Sequence, residues 1–63
     1  MKKDEKYNRI VTAAEKVFFN YGYGQSSMDQ VAQEAGVAKG TMYLYFQSKQ
    51  ELYYAIGVRA LGI

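Results

Sequence analysis

The stretch from Ser27 to Leu52 constrains the fold most. Two short amphipathic patterns hinge at Ala35-Gly36-Val37-Ala38, and a further pattern opens at Ser48. Proline is absent, so glycines and capping side chains must mark every break. Gly36 can take positive φ at low cost and reverse the chain within a few residues. A helix, a tight glycine turn, a short helix with Lys39, Thr41, Tyr43 and Tyr45, and then a capped helix together spell a helix-turn-helix. Such a unit turns one helix outward, and an outward helix can enter a major groove.

The periodicity predicts an all-α fold: a three-helix bundle containing the helix-turn-helix, plus the start of a fourth helix. The first helix is expected over about 4–21, with Ile10, Val11, Ala14, Val17, Phe18 and Tyr21 on one stripe and Tyr7 extending it. Asp4 and Glu5 suit its positive end, and Gly22 falls where a left-handed cap belongs. The second helix opens at Ser26 or Ser27, where Ser27 with Gln30 fits a capping box, and turns Met28, Val31, Ala32 and Ala35 inward. The third covers about 39–46, with Met42 and Phe46 inward. Ser48 and Glu51 form a second capping box, opening a fourth helix with Leu52, Ala55, Ile56, Ala60 and Ile63 on one face. That helix carries no evident stop signal, and its apolar stripe has nothing left to cover it. A fragment of a longer protein is therefore expected.

Composition narrows the chemistry. At 63 residues the chain is one small domain, near the size at which only about 60% of the unfolded surface is buried. It has neither cysteine nor histidine, which leaves no disulfide, no thiolate metal site and no imidazole base. No catalytic set, metal or cofactor is assigned, and no enzyme is expected. No apolar run approaches the ~20 residues that span a bilayer, and the start lacks the apolar core of a signal peptide. A cytoplasmic protein without membrane contact is the expectation. The formal charge is only +2, yet Lys2, Lys3, Lys6 and Arg9 crowd the first nine residues, and Lys39 and Lys49 flank the third helix. Cations so placed serve a phosphate backbone, or are ordinary solvated surface.

The third helix is too polar to be all core. Gly40 near its start costs up to about 1 kcal/mol against Ala. It either lets the backbone approach a phosphate closely or merely eases the turn. Tyr43 and Tyr45 carry hydroxyls on rigid stems, suited to phosphate or a base edge, or to rings in the core with hydroxyls in water. Lys49 opposes the dipole of the fourth helix until an anion arrives.

The run from Val31 to Leu52, VAQEAGVAKGTMYLYFQSKQEL, resembles the tetracycline-repressor (TetR) family, as do Ile10 to Ala14 and Val17 to Tyr23. The likeness spans about residues 7–56. It implies a transcriptional regulator, usually a repressor, that binds a double-stranded DNA operator. By the resemblance, residues 1–47 are the helix-turn-helix DNA-binding domain. Residues 48–63 lead to a C-terminal domain, absent here, that binds a small-molecule effector and forms a homodimer. Lys39, Gly40 and Tyr43 match positions that approach bases or the groove. Ser27, Thr41, Tyr45 and Lys49 match phosphate contacts, and Asp29 and Gln30 match positions that sometimes reach DNA. Two departures stand out. Ala38 replaces a frequent Ser and removes a side-chain cap worth about 1 kcal/mol. Asp29, being acidic, suits capping its own helix better than facing a phosphate.

A different class of function stays open: a small helical protein-interaction module docking through its tyrosines, since Tyr and Met are favoured at interfaces. Ionic strength separates the two, because salt weakens DNA binding steeply and leaves an apolar interface largely intact.

Overall fold

The computed structural model describes residues 2–62, and side chains from Glu5 to Gly62. The expectations for Ile63 and for the side chains of Lys2, Lys3 and Asp4 lie outside the described residues. Among the described residues four helices and no strand follow in order: α1 (Lys2–Tyr21), α2 (Met28–Ala35), α3 (Lys39–Tyr45) and α4 (Lys49–Ala60). The all-α expectation holds. α1 lies against both α2 and α4, and α3 rests on α2.

One core joins all four helices. Ile10, Val11, Ala13, Ala14 and Val17 of α1 meet Val31, Ala32 and Ala35 of α2, Met42 and Phe46 around α3, and Leu52 and Ala55 of α4. The alanines let α1 and α2 approach closely, and the larger side chains fill the space around them. α3, only seven residues long, is too short to be stable alone. Met42, fully buried, and Phe46, 5% exposed, hold it down. Tyr7 covers Phe46 from α1, with ring centroids 5.3 Å apart.

Each break has a chemical cause. Gly22 closes α1 at φ 86° and donates its N–H to the Phe18 carbonyl at 2.8 Å. Gly36 closes α2 at φ 74°, and the Val37 N–H returns to the Ala32 carbonyl at 3.1 Å. That return bond makes a Schellman turn, and it sets the angle between α2 and α3. Ser27 caps α2: its Oγ accepts from the Gln30 N–H at 3.1 Å, while Gln30 Oε1 accepts from the Ser27 N–H at 2.8 Å.

Several local expectations need correction. Tyr21 leaves the core stripe and is 57% exposed, because α1 ends there and α2 turns away; Ala13 is buried instead. Ser26 does not cap α2. It is buried, and its hydroxyl donates to the Gly22 carbonyl at 2.6 Å, tying the loop to the end of α1. The box at Ser48 is shifted: Ser48 Oγ accepts from the Glu51 N–H at 3.4 Å, but the Glu51 carboxylate accepts from Gln47 N–H at 2.8 Å rather than from Ser48. Ala60 is exposed, and Arg59 beside it takes the contact with α1. At the end of the described residues Gly62 adopts φ 77° and donates to the Arg59 carbonyl at 3.0 Å.

Candidate nucleic-acid interface

With Met42 and Phe46 committed to the core, a helix of 3.6 residues per turn turns a fixed set of positions outward. Lys39, Gly40, Tyr43 and Leu44 are exposed; Thr41 and Tyr45 are half-buried along the flank. Lys39 with Tyr43, and Gly40 with Leu44, form two adjacent i, i+4 rows. The structure therefore brings the expected groove residues Lys39, Gly40 and Tyr43 onto one face. It adds Leu44, which is 83% exposed. The sequence signal for Leu44 was present: with Met42 and Phe46 inward, position 44 must point away from both.

Gly40 is not required by the chain itself. Its φ is not positive, and a Cβ built there meets nothing within 4 Å. An alanine would fit and would favour the helix. The bare backbone leaves the outward face shallow beside Leu44 and Tyr43, with room for close approach of a partner. α3 has no side-chain cap, as Ala38 led one to expect.

Of the phosphate candidates, Thr41 and Tyr45 lie on α3 itself, and Ser27 and Lys49 come from neighbouring elements. Ser27 sits at the N-cap of α2, with its hydroxyl engaged by Gln30. The first turn of α2 is drawn to the start of α3 by an ion pair, Lys39 Nζ to Asp29 Oδ1 at 3.2 Å. Asp29 thus bonds across the turn, and the expected role in capping its own helix gives way to this pairing. Lys49 does not hang free in solvent: its Nζ donates to the Tyr23 carbonyl at 2.7 Å and lies 4.7 Å from the Tyr23 ring centroid. The carbonyl and the π-face offset the unfavourable dipole of α4 at that position. Tyr23 in turn stacks edge-on with Phe18 and Tyr53, at 5.3 and 5.4 Å. The loop before α2 is pinned to the start of α4.

Arg59 was not anticipated. Its guanidinium binds Glu15 Oε1 at 3.0 Å, Thr12 Oγ1 at 3.0 Å and the Asn8 carbonyl at 3.4 Å. One side chain thereby ties the last turn of α4 to three turns of α1. Lys16 and Glu34, 3.2 Å apart, join α1 to α2 on the surface.

No helix among the described residues is long and apolar enough to cross a membrane.

Comparison with known proteins agrees with this arrangement. The family model described as bacterial regulatory proteins, tetR family, matches residues 10–56. A fatty acid metabolism regulator protein of Bacillus subtilis is 40% identical over 60 residues, covering 95% of this chain and 31% of that protein. The transcriptional activator FasR of Mycolicibacterium smegmatis is 43% identical over 54 residues, covering 86% of this chain and 25% of its own length. An HTH-type transcriptional regulator of Staphylococcus aureus is 40% identical over 65 residues, covering 100% and 35%. The chain thus spans between a quarter and about a third of these relatives. No solved structure matches it significantly. The matched segment contains the Gly36 turn, all of α3 and the start of α4, and on that match the chain belongs to the TetR family of bacterial regulatory proteins.

Proposed function

We propose that this chain is the DNA-binding head of a transcriptional regulator and that α3 reads the major groove of an operator. One observation carries the reading: α3 keeps Lys39, Gly40, Tyr43 and Leu44 outward, although a bare Gly40 and an exposed Leu44 serve nothing inside the chain. Lys39 donates to guanine or phosphate acceptors, Gly40 admits close approach, and Tyr43 covers a base edge or sugar. Ser27, Thr41, Tyr45 and Lys49 engage phosphates and fix the register. Residues 1–47 form the head, and 48–63 connect it to a C-terminal domain.

The whole protein, in this reading, is a cytoplasmic, ligand-responsive repressor. It acts as a homodimer through that C-terminal domain, which takes a small-molecule effector. Pairing two heads on half-sites about 34 Å apart raises affinity over one head alone. The relatives' names support regulation of transcription, and their greater length supports the further domain.

A protein-docking role is favoured at one place, the outer face of α4. Tyr53, Tyr54 and Leu61 are 62%, 75% and 74% exposed there. Titration of labelled duplex with the chain at rising KCl tests the main reading. Duplex binding that falls steeply with salt supports it, and salt-insensitive binding to protein partners alone replaces it with the docking role.

A further inference from the structure

Asp29 is an acidic side chain placed where a duplex-binding surface gains least from negative charge. It is 67% exposed and stands in the first turn of α2, with its carboxylate 3.2 Å from the ammonium of Lys39. Lys39 is itself 62% exposed, so neither group is buried by the pairing. Surface pairs of this kind contribute little to folding. The pair therefore calls for another explanation, and its geometry offers one.

We propose that Asp29 is a specificity-determining residue, and that Asp29 and Lys39 act as one unit that reads a single G·C pair. This rests on the duplex-binding reading above. In the major groove guanine presents two acceptors, N7 and O6, and cytosine presents the N4 donor beside them. O6 and N4 are hydrogen-bonded to each other, so they lie about 3 Å apart. A donor and an acceptor separated by 3.2 Å on the protein match that edge. Lys39, with three N–H groups, donates to O6 and N7, and Asp29 Oδ accepts from cytosine N4. In an A·T pair the N6 donor stands where O6 was, facing the ammonium, and O4 faces the carboxylate; in a T·A pair the thymine methyl replaces N7 beside the ammonium, so either fits the unit less well.

The same carboxylate acts against indiscriminate binding. When α3 lies on non-operator DNA, the nearest acceptors are phosphates, and Asp29 repels them while occupying Lys39. Neutralising Asp29 adds, in effect, one free cation to the interface. Non-specific affinity and its salt dependence both rise as a result.

The test uses the full 63-residue chain. A preferred site is selected from a random duplex pool, and every position is then replaced by each base pair. Affinities are measured by fluorescence anisotropy across a KCl series for wild type, Asp29→Asn, Asp29→Glu and Lys39→Met, with far-UV circular dichroism confirming each fold. Wild type is expected to prefer G·C at one position by roughly tenfold. Asp29→Asn should reduce that preference to about threefold or less, tighten binding to scrambled duplex, and steepen the log–log salt slope by up to about 1. Asp29→Glu should keep the weak scrambled-duplex binding, and Lys39→Met should lose the preference at the same position. The proposal is overturned if Asp29→Asn keeps the wild-type base preference or the wild-type affinity for scrambled duplex. It is equally overturned if Asp29 and Lys39 control different positions. Wild type that binds no duplex in a salt-dependent way removes the duplex-binding reading itself, a result distinct from either.

Discussion

Lys49, in the first turn of α4, reaches back across 26 residues to the carbonyl of Tyr23 at 2.7 Å and lies over the ring of the same residue. One side chain therefore joins the loop before α2 to the helix after α3, and it brackets the helix-turn-helix from both ends. An exposed cation–π contact contributes about 0.5–1 kcal/mol. Lys49→Ala should lower stability by about 1 kcal/mol in urea unfolding and weaken binding to all duplexes alike. Lys39→Ala should instead change base preference. Identical effects of the two substitutions on operator and scrambled duplexes would refute this division of roles.

Much of this architecture is legible in the chain, because its determinants are local. Gly36 needs only its own φ, and the Ser27–Gln30 box closes within three residues. Met42 and Phe46 are one helical turn apart, and their burial follows from spacing alone. What was not legible is contact between distant segments. Nothing near Lys49 signals Tyr23, nothing near Asp29 signals Lys39, and Arg59 finds its partners 44 to 51 residues away. Tyr21 and Ala60 lie at positions the helical stripes would place inward, yet both are exposed at the ends of their helices. Periodicity gives a face and is silent about where its partner ends.

Gly40 and Gly36 should respond in opposite ways to alanine. At Gly36 the left-handed backbone makes Gly36→Ala destabilising by about 1–2 kcal/mol. At Gly40 open space and ordinary φ make Gly40→Ala stabilising by up to about 1 kcal/mol. The same Gly40→Ala should weaken duplex binding, since the added methyl group stands on the outward face. Urea midpoints and duplex affinities measured together check this. A Gly40→Ala chain that is more stable and binds equally well would remove close approach as the reason for the glycine.

Leu44 and Met42, two residues apart, divide function from folding. Met42 is fully buried, and Met42→Ala should cost about 2–5 kcal/mol. A core of this size supplies roughly that much in total, so the variant should be largely unfolded by circular dichroism. Leu44→Ala should change stability by less than about 0.5 kcal/mol. It should still reduce affinity for the preferred duplex, through lost apolar contact with bases such as thymine. Loss of fold in Leu44→Ala would contradict this division.

Ser27→Ala removes the cap of α2 and should cost about 1 kcal/mol. Ser27→Asp restores a capping acceptor and should recover that stability, yet bring a negative charge to a position proposed to meet phosphate. Its duplex affinity should remain below that of wild type. Full recovery of both properties by Asp would show that Ser27 acts only as a cap.

A single head lacks the gain that paired heads obtain on a two-fold site. The 63-residue chain is expected to be monomeric in analytical ultracentrifugation and to bind duplex with micromolar or weaker Kd. Nanomolar binding by a demonstrated monomer would contradict this.

The most direct measurement of the central claim is an amide chemical-shift titration of the isotope-labelled chain with its selected duplex. The largest perturbations should fall on Lys39, Gly40, Tyr43 and Leu44, with smaller ones at Ser27 and Lys49, and all should diminish as KCl rises. Perturbations confined to Tyr53 and Tyr54 of α4 and to Leu61 just after it, with α3 silent, would contradict it.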